Sequence, residues 1–168
     1  MNTLLSLFDH SGNWGSEFFF NNWDVHMFDL KHGQDILNYE SYGQILEDYP
    51  DVNGILAAIP CDDFALCGAR WWPLKDANGS TKASVELVYQ ALRFVELFRP
   101  TDPNYYSDGG RFFWAFENPV GRIGQLVPEL GSPYYFDPFE FAGYLNLTDS
   151  EHNELDLLRR KEGKNFWG

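Results

Sequence analysis

The fold is decided by one stretch of the sequence, Gly54-Ile55-Leu56-Ala57-Ala58-Ile59-Pro60-Cys61-Asp62-Asp63-Phe64-Ala65-Leu66-Cys67-Gly68. It begins as an uncharged apolar run with the length of one buried strand, stops abruptly at Pro60-Cys61, and continues as a loop of small residues. Ligands of open α/β sheets bind outside the carboxyl ends of the strands. The thiol of Cys61 therefore stands where chemistry is expected.

The rest of the chain places further strands and helices around this one. Strands are predicted at residues 2–8, 24–30 and 111–116, and helices at 16–22, 41–48 and 80–99. Strands that alternate with helices predict a mostly parallel sheet with helices on both faces. Because the carboxyl ends of parallel strands share one edge, four polar side chains are predicted to converge there: Asp9, Asp29, Cys61 and Glu117.

Several connections and later elements complete the prediction. Residues 71–79 are typical of a loop, and the helix that follows would be capped by Ser80 or Thr81 and end at Pro100. The remaining elements are a short helix in 121–130, an extended segment in 134–141 and a polar helix in 148–160.

Length and composition limit the class of protein. The 168 residues predict a single domain. The sequence has no apolar run long enough to cross a membrane and no signal-peptide pattern, which predicts a soluble cytoplasmic protein. Its two cysteines, Cys61 and Cys67, are expected to be free thiols. The net charge of −13 is the wrong sign for binding nucleic acid, although four basic residues lie close together near the end of the chain, at positions 159–164.

The residues themselves leave two interpretations of Cys61 open. A lone buried cysteine is more often a small core residue than a nucleophile. Paired with Glu117 at the next strand end, however, it could add to an electron-poor ring while the acid protonates a ring nitrogen. Cys67 has no such partner and is expected to be structural.

The loop from Asp9 to Gly15 also has two possible interpretations. The histidines, considered separately, indicate no metal site. The loop has neither the dinucleotide spacing nor a phosphate-loop lysine, so it is either a loop for an adenosine-containing ligand or an ordinary strand-to-helix turn. If this loop binds such a ligand, Asp29 would accept hydrogen bonds from the ribose hydroxyls. His10, His26, His32 and His152 lack metal-ligand spacing, and no metal is predicted.

Taken together, these motifs resemble the cytosine-C5 DNA methyltransferases, in particular their short phage-type members. The segment Leu5-Ser6-Leu7-Phe8-Asp9-His10-Ser11-Gly12-Asn13-Trp14-Gly15 resembles the cofactor loop, and residues 54–72 resemble the Pro-Cys motif with its continuation. Glu117-Asn118-Pro119-Val120-Gly121-Arg122 resembles the Glu-Asn motif, and residues 135–138 and 166–168 resemble the later aromatic segments.

The resemblance implies a Rossmann-like methyltransferase fold, S-adenosyl-L-methionine as cofactor and DNA as partner. Cys61 would attack C6 of a flipped cytosine, Glu117 would hold N3 and the exocyclic amine, and Arg159 is a candidate for a later catalytic arginine. The implied cofactor contacts are Phe8, Asp9, Gly12, Trp14, Gly15, Asp29, Leu30, Asp35, Ile36 and Pro60. The implied substrate contacts are Asn118, Arg70 and Arg122. A phage-encoded member would work in the host cytoplasm.

The sequence also departs from that family. Asp62 and Ala65 stand where glutamine and serine are common, and the target-recognition region is absent or minimal within residues 1–168. A homodimer or another partner could supply the basic surface. Two further functions therefore stay open: a methyltransferase-fold protein that binds the cofactor or nucleic acid without turnover, and an enzyme acting on a free cytosine nucleotide.

Overall fold

The computed structural model describes residues 1–38, 42–107 and 109–135. The strands are β1 Thr3–Leu7, β2 Asp24–Phe28, β3 Val52–Ala58 and β4 Phe113–Glu117. The α-helices are α1 Ser16–Phe20, α2 Tyr42–Asp48, α3 Trp72–Asn78, α4 Ser80–Phe98 and α5 Ile123–Leu126, with 3-10 turns at Leu30–His32, Ile36–Asn38, Leu66–Trp71 and Pro128–Leu130.

By its internal contacts the chain divides into a unit over Met1–Gly131 and a second unit over Ser132–Gly168. All of these elements belong to the first unit, and only residues 132–135 of the second are described. The helix predicted at 148–160, most of the extended segment at 134–141, and Arg159 lie outside the described residues. The prediction of a single domain stays a prediction.

The sheet is wholly parallel, with the strand order β2-β1-β3-β4. The chain runs from β1 outward to β2 on one side and then returns to β3 on the other side of β1. This reversal makes the gap between β1 and β3 a topological switch point, where open α/β sheets bind ligands. The predicted α/β class with a parallel sheet is confirmed, and the topology is compatible with a Rossmann-like fold.

The hydrophobic core lies between one face of the sheet and α4. Alternate strand residues point to the same face, so Leu5 and Leu7 of β1 share it with Ile55 and Ala57 of β3, and all four are fully buried. From α4, the fully buried side chains in this core are Val88, Ala91, Phe94 and Val95. Their spacing of three and four residues is that of an amphipathic helix, as the sequence predicts.

The opposite face is covered by the short helix α1 and a cluster of aromatic rings. Phe18 of α1 stacks on Phe113 of β4, with 5.5 Å between ring centroids, and Trp23 meets both rings edge-on. Gly54 of β3 makes room for this cluster, since a Cβ there would lie 2.6 Å from the Phe113 ring. Helices therefore lie on both faces of the sheet, as predicted, but α1 has only 5 residues whereas α4 has 19.

Residues 71–79 differ from the prediction, because most of them form α3 instead of a loop. Pro73 stands in the first turn of α3, where a missing backbone N–H costs nothing, and Gly79 ends the helix with φ +85°. Neither Ser80 nor Thr81 caps α4, because Gly79 is the residue before the helix. The hydroxyls of Ser80 and Thr81 instead donate hydrogen bonds to Asp63 and Asp76. Within the described residues, no helix is long and apolar enough to cross a membrane.

Candidate active site at the carboxyl edge of the sheet

The strand register brings the predicted polar side chains to one edge. Leu7 of β1 pairs with Phe28 of β2 and Ala57 of β3, while Ala58 of β3 pairs with Glu117 of β4. Asp9, Asp29 and Cys61 come after β1, β2 and β3, respectively. They therefore lie at the same edge of the sheet as Glu117, the last residue of β4. The predicted convergence of the strand ends is confirmed.

Cys61 and Glu117 lie on adjacent strands, and Asn118 joins their two segments. The Asn118 side-chain N–H donates to the Ile59 carbonyl over 3.0 Å, which ties the residue after Glu117 to the backbone just before Pro60-Cys61. The carbonyl of Cys61 accepts from the backbone N–H of Phe64 and from that of Ala65, at 2.9 Å each. The thiol therefore stands at the start of a tight turn whose position relative to Glu117 is set by hydrogen bonds.

Burial and charge set the protonation of this pair. Burial raises the pKa of the Cys61 thiol, and the carboxylates of Asp62 and Glu117 raise it further, while a backbone hydrogen bond opposes them in part. Burial likewise raises the pKa of Glu117. The resting site consequently favours a protonated thiol beside an acid that holds its proton to higher pH than an exposed glutamate. Both cysteines are free, as predicted.

Beyond Cys61 and Glu117 the two loops are joined by a short antiparallel bridge between Ala65 and Gly121. The Leu66 N–H donates to the Val120 carbonyl over 2.9 Å, and the Arg122 N–H donates to the Phe64 carbonyl over 3.0 Å. A Cβ at Gly121 would overlap the Phe64 carbonyl oxygen and lie 2.8 Å from its carbon. Only glycine therefore allows the two loops to approach this closely.

Arg122, which the sequence predicts as a substrate contact, is held inside a polar network. Its side chain is buried, and Nε donates to the Asp63 carbonyl over 3.0 Å. The two terminal nitrogens of its guanidinium donate to both carboxylate oxygens of Asp76, at 2.9 and 2.8 Å, and one also donates to the Thr81 hydroxyl. The guanidinium lies 4.6 Å from the Trp72 ring. These contacts occupy most of its donors and leave little for a substrate.

Asp63, two residues after Cys61, is a buried acid that the sequence did not single out. Its carboxylate accepts hydrogen bonds from the hydroxyls of Ser80 and Ser84, and Lys75 lies 3.3 Å away. Burial alone would raise the pKa of Asp63, but these hydrogen bonds and the Lys75 charge outweigh it and hold the pKa below its usual value. Lys75 also donates to the Asp62 carbonyl. The Cys61 loop is thereby attached to α3 and α4.

We expect Asp63→Asn to lower the free energy of unfolding at pH 7 by about 1–3 kcal/mol, because Lys75 and two hydroxyls lose a charged acceptor. A lowered folded pKa gives stability that is present above the ordinary aspartate value and is lost as pH falls through the folded value. The difference between wild type and variant should therefore shrink below about pH 4. Urea unfolding at pH 7 and pH 3 measures it.

The matched control for that prediction is Asp62→Asn at the neighbouring, exposed acid. It should change the free energy of unfolding by less than about 0.5 kcal/mol at either pH. Equal losses in the two variants would contradict the role assigned to Asp63.

The predicted cofactor loop has a constrained backbone. Phe8 has φ +61°, which is rare for a bulky residue, and Gly12 has φ +72°. Gly15 packs against β2, since a Cβ there would lie 2.9 Å from Val25. The buried carboxylate of Asp9 accepts from the Ser6 hydroxyl over 2.8 Å and from the Gly15 N–H over 3.1 Å. Asp9 therefore shapes the loop from inside.

The acids after β2 cap short turns. Asp29 accepts from the Lys31 N–H over 2.8 Å and Asp35 from the Leu37 N–H over 2.9 Å, each through one oxygen. Within the described residues their second oxygens accept no hydrogen bond, so both keep a free acceptor. The ring of His32 makes a 3.0 Å hydrogen bond to the His10 carbonyl, which joins this segment to the loop from Asp9 to Gly15.

The other predicted contacts differ in exposure. Pro60 and Leu30 are exposed, Ile36 packs in the hydrophobic core, and Arg70 is exposed, with its guanidinium 5.1 Å from the Trp71 ring. The buried indole N–H of Trp14 and the buried side-chain oxygen of Asn118 have no hydrogen-bond partner among the described residues. Two buried polar atoms in the predicted site are thus left for a ligand or water to satisfy.

A separate groove of about 690 Å³ contains none of the predicted site residues, and its lining includes Tyr89, Leu92, Leu97 and Trp114. In the part of the chain that the structure describes, no group of three or more His, Cys, Asp or Glu side chains could hold a metal ion. No family model and no curated protein matches the sequence.

Proposed function

We propose that this chain is an S-adenosyl-L-methionine-dependent DNA cytosine-C5 methyltransferase that acts through a covalent adduct of Cys61 with C6 of the base. The observation that carries the proposal is the placement of Cys61 and Glu117 at the ends of adjacent parallel strands, joined by the Asn118–Ile59 hydrogen bond. A nucleophile and an acid held at neighbouring strand ends suit covalent catalysis on a ring.

In this reaction the thiolate of Cys61 forms a bond to C6, and the electron pair of the C5–C6 double bond moves through C4 toward N3. Glu117 donates its proton to N3, so that C5 becomes nucleophilic. S-adenosylmethionine, when bound, would supply an electrophilic methyl group on a positively charged sulfur and would leave as S-adenosylhomocysteine. After C5 has taken the methyl group it gives its proton to water, N3 returns its proton to Glu117, and the bond between Cys61 and C6 breaks to restore the C5–C6 double bond and the thiolate.

The two raised pKa values bear differently on this chemistry. The raised pKa of Glu117 favours the protonated acid that must donate to N3. The raised pKa of Cys61 opposes the thiolate that must attack. A cation bound at the adjacent switch point would lower the thiol pKa, because opposite charge stabilises the ionised form. The proposal thus links activation of Cys61 to cofactor binding.

The residues around the switch point fit such a cofactor. The loop that follows β1 contains Gly12 and Gly15, at which a Cβ would collide with neighbouring side chains. Asp29, at the end of β2, has one carboxylate oxygen that accepts no hydrogen bond from the described residues, and an acid at this position can accept hydrogen bonds from ribose hydroxyls. Trp14 offers a buried N–H that lacks a partner among the described residues. These features support a site for an adenosine-containing ligand between β1 and β3.

The net charge of −13 opposes binding to DNA, whose phosphates are also negative. Near the Cys61 loop, Arg70 and Trp71 are exposed beside each other and could contact a phosphate and a base. A second copy of the chain or a basic partner would supply the remaining positive surface. Salt dependence of binding would measure how many phosphates are neutralised.

The test is transfer of a labelled methyl group from S-adenosylmethionine to DNA of mixed sequence. Wild type should incorporate label, and Glu117→Gln should be slower by about 10²–10⁴-fold because it cannot donate a proton to N3. Glu129→Gln, which changes an exposed acid bonded to Tyr89, is the matched control and should keep wild-type activity.

Three results would each contradict a part of this proposal. Cofactor binding by calorimetry without incorporation into any DNA would favour a binding protein without turnover. Incorporation into a free cytosine nucleotide but not into DNA would favour the nucleotide as substrate. Full activity in Glu117→Gln would remove the acid from the mechanism.

A further inference from the structure

Arg122 joins the two loops that carry the candidate catalytic groups. It lies five residues after Glu117, and both its backbone N–H and its side-chain Nε reach the segment that follows Cys61. The backbone N–H donates to the Phe64 carbonyl and Nε donates to the Asp63 carbonyl, at 3.0 Å each. The contacts reach residues that stand two and three positions after the thiol.

The other end of the same side chain is fixed to the helices. Both terminal nitrogens of the Arg122 guanidinium donate to Asp76 in the last turn of α3, and one also donates to Thr81 in the first turn of α4. Its planar fork matches the two carboxylate oxygens, and its flat face covers the Trp72 ring. A lysine would keep the positive charge but could not reproduce this paired geometry.

We propose that Arg122 is a positioning residue that holds the Cys61 thiol in place relative to Glu117. The purpose of this alignment rests on the proposed function, whereas the alignment itself can be tested without turnover. A displacement of about 1 Å between reacting groups can cost about 100-fold in rate. Loosening Arg122 should therefore slow the chemical step and leave cofactor affinity, set by the loop after β1, nearly unchanged.

The experiment uses full-length protein in a Cys67→Ser background, so that Cys61 is the one remaining thiol. Arg122→Lys and Asp76→Asn are compared with Arg93→Lys, which changes an exposed arginine paired with Glu86 on α4. Two readouts are taken: the rate at which iodoacetamide alkylates Cys61, and kcat and KM for methyl transfer. Asp76→Asn serves if Arg122→Lys does not fold, because Asp76 is half exposed.

We expect alkylation of Cys61 to become about 3–10-fold faster in both variants as the half-buried thiol is released. We expect kcat to fall about 10–100-fold with KM for the cofactor within about threefold. Alkylation rates and kcat equal to those of Arg93→Lys would overturn the proposal. Faster alkylation in a protein whose wild type transfers no methyl group would support the positioning role while the proposed function fails.

Discussion

Replacing Cys61 with serine should abolish the proposed methyl transfer, lowering kcat by about 10⁴-fold or more. Serine keeps the size of the side chain, but a hydroxyl at this position is a far weaker nucleophile than a thiolate. Because Glu117 and the loop from Asp9 to Gly15, the proposed cofactor loop, stay in place, the affinity for S-adenosylmethionine should not change. Labelled methyl transfer and calorimetry on the same protein separate the two effects.

Cys67→Ser is the matched control, since Cys67 is an exposed thiol six residues further along the chain. It should keep wild-type activity. DNA containing 5-fluorocytosine gives a second readout, because fluorine at C5 blocks the final loss of a proton and traps the adduct. Wild type should remain attached to this DNA on a denaturing gel and Cys61→Ser should not. Activity retained in Cys61→Ser would rule out the covalent route.

The pH dependence of alkylation is a check on the same thiol. Because burial, Asp62 and Glu117 raise the pKa of Cys61, its alkylation rate should climb at a more alkaline pH than that of an ordinary thiol. Addition of S-adenosylmethionine should move this rise toward lower pH, because the positive sulfur favours the thiolate.

The strands and the edge of the sheet could be predicted from local sequence. The apolar run before Pro60 has no charge and ends at a proline, so strand β3 and the position of Cys61 follow from hydrophobicity and backbone geometry alone. The convergence of Asp9, Asp29 and Glu117 on the same edge follows from alternation with helices, which requires parallel strands.

The polar network could not be predicted, because it depends on partners far apart in the sequence. Arg122 bonds to residues that precede it by 41, 46 and 59 positions, and no local pattern indicates that pairing. The family resemblance implies a substrate contact at Arg122 and says nothing of these partners. The sequence does not predict helix α3, because Trp72-Pro73 and Gly79 have the composition of a loop. Proline in the first turn and glycine just after the last turn are equally compatible with a helix, as α3 shows.

Gly121→Ala should destabilise the protein by about 3 kcal/mol or more, the largest effect expected for so small a change. The added Cβ would overlap the Phe64 carbonyl oxygen and lie 3.0 Å from the Ala65 Cα, both of them backbone atoms that cannot rotate away. The bridge between Ala65 and Gly121 would have to open, and the hydrogen bond from Leu66 to Val120 would be lost with it.

Gly124→Ala is the control that separates this clash from the general effect of adding a methyl group to glycine. Gly124 lies three residues away in α5, where a Cβ meets no atom within 4 Å, and alanine favours the helical backbone. Its free energy of unfolding should therefore change by less than about 1 kcal/mol, toward higher stability. Urea unfolding compares the two variants, and alkylation of Cys61 in the Cys67→Ser background shows whether opening the bridge exposes the thiol. If Gly121→Ala matches Gly124→Ala in stability and Cys61 stays as slow to react, the two loops do not approach through this bridge. The placement of Cys61 against Glu117 must then depend on the Arg122 side chain and on the Asn118–Ile59 hydrogen bond.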